Sequence, residues 1–144
     1  MYLELFATTS AGLFAGAATY INLVEHPARL QCGTLIALKE FAPSYKRATV
    51  MQASLAAFSF LTAIGAWLTG SKVWWMIGGL LILSVVPFTL MAILPTNKQL
   101  LDPSVEMNLD LAGELLNRWG KLHAIRSILS LTSFLIFVVI PLQR

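Results

Sequence analysis

The chain has 144 residues, of which 57% are hydrophobic and only 12% charged, with a net charge of +3. A soluble domain carries about a quarter charged residues, so this composition excludes an ordinary water-soluble globule and fits a domain whose solvent is lipid. The small positive balance, with no basic stripe interleaved with aromatics, excludes nucleic acid as a partner, and the single cysteine, Cys32, excludes an internal disulfide or a Cys-x-x-Cys redox motif.

A bilayer-spanning helix needs about 20 predominantly apolar residues. Residues 5–24, 48–71 and 73–97 are charge-free, as is the shorter run 127–143, which reaches spanning length by taking in 122–126 with His123 and Arg126. The expected fold is all-α: one membrane domain over residues 1–144, a four-helix transmembrane bundle with helices at about 3–25, 46–70, 73–95 and 119–142. Glu4 stands where the basic region of a cleavable signal would lie, so the first helix is expected to remain in the mature protein.

Gly70, Ser71 and Lys72 predict a tight turn, making the second and third helices an antiparallel hairpin. The other two connections are long and emerge on one side. Each is expected to carry a short amphipathic helix: the first bracketed by Pro27 and Pro43, at about 29–42, the second following Asp102-Pro103 and ending near Arg118. That side holds Arg29, Lys39, Lys46, Arg47, Lys98, Arg118 and Lys121, against Lys72 and Arg144 on the other. The excess of Lys and Arg places the long connections in the cytoplasm and both termini opposite.

Gly12-x-x-x-Gly16 in the first helix lets helix backbones approach closely; bundle packing is the plain reading and a homo-oligomer the alternative. Tyr45, Thr49, Gln52, Ala56 and Ser59 share one face of the second helix, and a carboxamide such as Gln52 in lipid requires a partner. Pro87 is expected to kink the third helix, and Trp74 and Trp75 to anchor it at the interface.

Polar groups converge at one end of the bundle. The first helix ends in Asn22, Glu25, His26 and Pro27; the third in Pro95-Thr96-Asn97-Lys98; the fourth begins at Asn117-Arg118-Trp119, with Trp119, His123 and Arg126 four and three residues apart on one face. Taken singly, each has a plain reading: His26 as an interfacial helix end, Arg126 snorkelling to headgroups, Trp119 as a belt residue. Intramembrane ionisable groups are rare and usually face the bundle interior, so their convergence at one depth favours a site. Histidine exchanges a proton near neutral pH, arginine holds a developing oxyanion, and an indole gives a flat ligand its wall. The set suits an aromatic or quinone-like substrate that enters from the bilayer and loses a proton to histidine.

Glu25-His26-Pro27-Ala28, Pro95-Thr96-Asn97-Lys98, and Arg118-Trp119 followed by His123 and Arg126 resemble the DUF1772 or anthrone oxygenase-like family of integral membrane proteins, over nearly the whole chain. The resemblance implies oxidation of an apolar aromatic, anthrone- or quinol-like, by molecular oxygen with no other cofactor. Carried over, the family-pattern positions are His26, Asn97, Arg118, Trp119, His123 and Arg126; of these His26, His123, Arg126 and Asn97 are catalytic candidates and Trp119 and Arg118 substrate-binding candidates, joined on their place in the polar cluster by Gln52, Tyr45 and Asn22. Either histidine would take an acidic ring proton and Arg126 would hold the enolate.

Two other readings stand beside this one. A haem or transition metal would use His26 and His123 as ligands, with Glu25 or Glu114 completing a carboxylate-containing set. A non-catalytic lipid- or quinone-binding subunit would use the polar cluster structurally, or hold a headgroup phosphate through Arg118 and Arg126.

Overall fold

The computed structural model describes residues 1–142. Gln143 and Arg144, which entered the fourth-helix and charge readings, lie outside the described residues. Every described element is helical. Helix α1 (Tyr2–Tyr20) runs through a π-helical turn (Ile21–Glu25) into α2 (His26–Gln31). Helix α3 (Thr34–Leu68) follows, then α4 (Trp74–Leu83), α5 (Val85–Phe88), a second π-helical turn (Thr89–Ile93) and α6 (Leu94–Leu100). A 3₁₀ turn (Pro103–Met107) leads into α7 (Leu109–Leu142). Four long helical rods result. Three of the helical stretches, Thr34–Leu68, Trp74–Leu100 and Leu109–Val139, are long and apolar enough to cross a membrane. The first rod, rich in Gly, Ala, Ser and Thr, is not among these three.

The hairpin expected at Gly70 is present. Gly70 takes φ +100°, and the Ser71 amide reaches back to the Ala66 carbonyl at 3.0 Å, closing α3 with a Schellman-type turn. Ser71 Oγ also donates to Glu4 Oε1 at 2.8 Å, which ties the start of α1 to the hairpin.

The long connections differ from expectation. The amphipathic stretches do not stand as separate short helices between prolines; the first is part of α3, which includes Pro43, and the second is part of α7. The break falls at Gly33, whose φ of +92° only glycine adopts without strain. Asn108 starts α7 by accepting the Leu111 amide at 3.1 Å.

The remaining prolines leave their mark just upstream. Pro27 and Pro95 have no N–H for the carbonyls of Leu23 and Met91, and each of those residues lies in a π-helical turn. Pro87 likewise leaves the Leu83 carbonyl free, and α4 ends there.

Two clusters form the core. One holds Ala7, Ala11, Phe14, Ala56, Ala63, Trp75 and Phe137 near the hairpin end. The other holds Phe41, Ile93, Leu116 and Trp119 near the π turns. Trp75 is not an interfacial anchor: it is buried and stacks on Phe137 with centroids 4.9 Å apart, whereas Trp74 is exposed. Glycine permits this packing, since a Cβ on Gly78 would come within 2.5 Å of the Phe137 ring and one on Gly12 within 2.9 Å of Phe134. Gly16, by contrast, has no neighbour within 4 Å on its open face.

Candidate functional site

The site forms where the π turn of the first rod, the N-terminal half of α3, α6 and the middle of α7 meet. Asn22, in that π turn, donates from Nδ2 to the Gly120 carbonyl at 3.0 Å. Its Oδ1 then faces His123 Nδ1 at 2.7 Å and also accepts from Ser127 Oγ, which contacts the Ala18 carbonyl at 3.0 Å. The Gly120 carbonyl can only accept, so it fixes the orientation of the Asn22 amide. An amide oxygen can only accept in its turn, so His123 must carry its proton on Nδ1; the tautomer is assigned from this network. A neutral His123 therefore keeps its lone pair on Nε2.

Arg126, one turn further along α7, donates from Nη2 to Gln52 Oε1 at 2.7 Å and lies over the Phe14 ring at 5.6 Å. Trp119 stacks on His123 with centroids 4.7 Å apart, touches His26 at 5.1 Å and meets Phe41 edge-on at 5.3 Å. His123, Arg126, Trp119, Gln52, Tyr45 and Asn97 line one cavity of about 20 Å³. A water needs roughly 10–15 Å³, so the space has room for a small polar group.

Asn97 and Gln52 are almost wholly buried, yet both amide atoms of Asn97, Gln52 Nε2 and Arg126 Nε have no hydrogen-bond partner among the described residues. Buried polar groups are rarely left so, and each costs about 1–3 kcal/mol when unmatched. Their grouping around one cavity marks it as a place for a polar ligand.

Other sequence candidates fall elsewhere. Arg118 is exposed and does not line the cavity. Asn22 is committed to His123 and is also outside the lining. His26 is buried against the last helix, where a Cβ on Gly120 would come within 2.6 Å of its Nε2. Among the described residues no three His, Cys, Asp or Glu side chains converge as a metal set.

A larger groove of about 770 Å³ lies outside the cavity, between the first rod and α3. Its lining includes Gly16, Tyr20, Pro43, Arg47 and Met51, and it shares Ile21, Glu25, Ser44 and Ala48 with the inner cavity. A polar cluster stands at this shared wall. Buried Arg29 pairs with both Glu25 and Glu40, and Ser44 Oγ donates to Glu25 Oε1 at 2.8 Å. Sequence reasoning counted Arg29 as a connection charge. The spacing of Glu25 and Arg29, four apart on a helix, was the available signal, but Glu40 and Ser44 join only through the fold. A third, mostly apolar cavity of about 140 Å³ reaches Arg126 from between α3 and α5.

A profile of the anthrone oxygenase family matches residues 41–136, about two thirds of the chain. The chain belongs to the anthrone oxygenase family. No curated protein and no solved structure matches it. Family membership and the long apolar helices together make it a membrane oxygenase-like protein. The matched span runs from within α3 to within α7 and so holds Gln52, Asn97, Trp119, His123 and Arg126; Asn22 and His26 precede it.

Proposed function

We propose that this protein oxidises an electron-rich, weakly acidic aromatic of the anthrone or quinol type with molecular oxygen, and needs no organic cofactor or metal. The observation that carries the reading is the Asn22–His123 pair, which leaves an imidazole lone pair at a cavity where Arg126 donates to the neutral Gln52 amide. The aromatic occupies the groove beside Gly16 and Met51, a volume within the range of small-molecule sites. Its reacting edge meets the wall formed by Ile21 and Ser44, which must yield for the edge to reach His123.

His123 Nε2 removes a proton from the activated ring carbon, and Arg126 stabilises the resulting anion. The carbanion gives its electrons to dioxygen and a carbon–oxygen bond forms. The imidazolium returns its proton to the peroxide. Loss of the second ring-carbon proton and cleavage of the oxygen–oxygen bond then yield a carbonyl and water. With an anthrone, one oxygen atom stays on the ring carbon, the other leaves as water, and the four electrons dioxygen accepts come from one methylene; a quinol would give up two electrons and leave the oxygen as hydrogen peroxide. Trp119 supplies the aromatic wall, and Asn97 faces the oxygen atoms.

The test is oxygen uptake by detergent-purified protein with a simple anthrone, alongside an absorption spectrum and metal analysis. Uptake by colourless, metal-free protein, lost in His123→Gln with folded yield retained, is the expected result. A stoichiometric haem or metal, or full activity in His123→Gln, would overturn the reading.

A further inference from the structure

Arg126 sits in the interior of the bundle, yet among the described residues no carboxylate pairs with it. Its acceptor is the neutral Gln52 Oε1. Arg29, the other guanidinium at the cavity, is already matched by Glu25 and Glu40. A cation out of water without a counterion is costly. Around it, Gln52 Nε2, Asn97 Nδ2 and Arg126 Nε are donors with nothing to donate to, and Asn97 Oδ1 is an acceptor with nothing to accept. The space they border is small, about 20 Å³, against the roughly 10–15 Å³ that one water needs.

We infer that this inner cavity is a binding site for a small anion of two or three heavy atoms, separate from the aromatic groove, and that during turnover it holds the anion formed from dioxygen. The role in turnover rests on the oxygenase reading; the anion site does not. In the reaction, one electron passes from the deprotonated aromatic to dioxygen, leaving an aromatic radical and superoxide. The two recombine to form the carbon–oxygen bond, and the peroxide takes its proton from the imidazolium. Negative charge thus moves from the ring to the oxygen atoms. The three donors receive it, and Asn97 Oδ1 accepts from the protonated hydroperoxide.

Azide is the probe: a linear anion of three heavy atoms whose infrared stretch reports its surroundings. Titration into the detergent-purified full chain is expected to give a saturable shifted band without any aromatic present. Azide should also raise the KM for dioxygen while leaving that for anthrone unchanged. Gln52→Glu places a carboxylate against Arg126 and supplies its counterion, so the fold is kept while azide binding weakens by about tenfold to a hundredfold. Asn97→Asp, which keeps the side-chain shape, should act in the same direction. Arg118→Gln, which removes an exposed cation away from the cavity, should leave azide binding unchanged.

The inference is overturned if azide shows only the band of the free ion, or if its binding survives both Gln52→Glu and Asn97→Asp. Azide binding that these variants abolish, in a protein that consumes no oxygen with anthrone, would uphold the anion site and remove the oxygenase reading. Oxygen uptake without azide binding would do the reverse.

Discussion

His123 Nδ1 lies 2.7 Å from Asn22 Oδ1, across a junction between the first rod and the last helix. Because Asn22 is itself held by the Gly120 carbonyl, the imidazole is fixed in both rotation and tautomer. Asn22→Leu should free the ring and mix its tautomers. We expect kcat to fall roughly tenfold to a thousandfold while KM for the aromatic changes little. The ¹⁵N spectrum of His123 checks this without turnover, and a single unchanged Nδ1–H tautomer in the variant would refute the role given to Asn22.

Arg29 joins the two walls of the groove. Its side chain is buried, whereas Glu25 and Glu40 are partly exposed. Arg29→Leu should therefore destabilise the fold by roughly 2–4 kcal/mol, somewhat less than breaking a fully buried pair. Thermal or denaturant unfolding in detergent measures this, and a loss near zero would mean that the cluster contributes nothing to holding α2 against α3.

Gly120 has no room for a side chain. A methyl group there would meet His26 Nε2 at 2.6 Å, and His26 backs onto Trp119. Gly120→Ala should cost about 1–3 kcal/mol and shift tryptophan fluorescence as the indole moves. Wild-type stability and emission in this variant would show that the contact relaxes freely.

Gly16 is the opposite case. With nothing within 4 Å of a built Cβ, a large side chain there fills the aromatic groove and leaves the core intact. Gly16→Phe should keep the folded yield and raise KM for anthrone about tenfold or more. An unchanged KM would move the aromatic to another surface, of which the apolar cavity beside Arg126 is the next.

Much of the candidate site was legible because its signals are local. Trp119, His123 and Arg126 share a helix face by spacing alone, and Gln52 stands out as an amide within a charge-free run. Asn22, read from sequence as facing substrate, is in the fold a hydrogen-bond partner of His123. Arg118 lies near the others in sequence but is exposed outside the cavity, because successive residues on a helix diverge by about 100°. The helix boundaries shifted because Pro43 is tolerated within α3 while Gly33 makes the break, a choice set by packing as much as by local propensity.

Composition and periodicity by themselves determined that the chain forms long apolar helices suited to lipid, with polar groups gathered toward one end. Those properties depend on residues a few positions apart, and the cost of polar groups in hydrocarbon acts on each helix separately. Only the tertiary structure decided which nitrogen of His123 is free, that Arg126 meets an amide and, among the described residues, no carboxylate, and that a small polar cavity adjoins a larger groove. These depend on contacts between residues 101 and 74 positions apart, and hydrogen-bond direction and cavity size exist only once the helices have closed on one another.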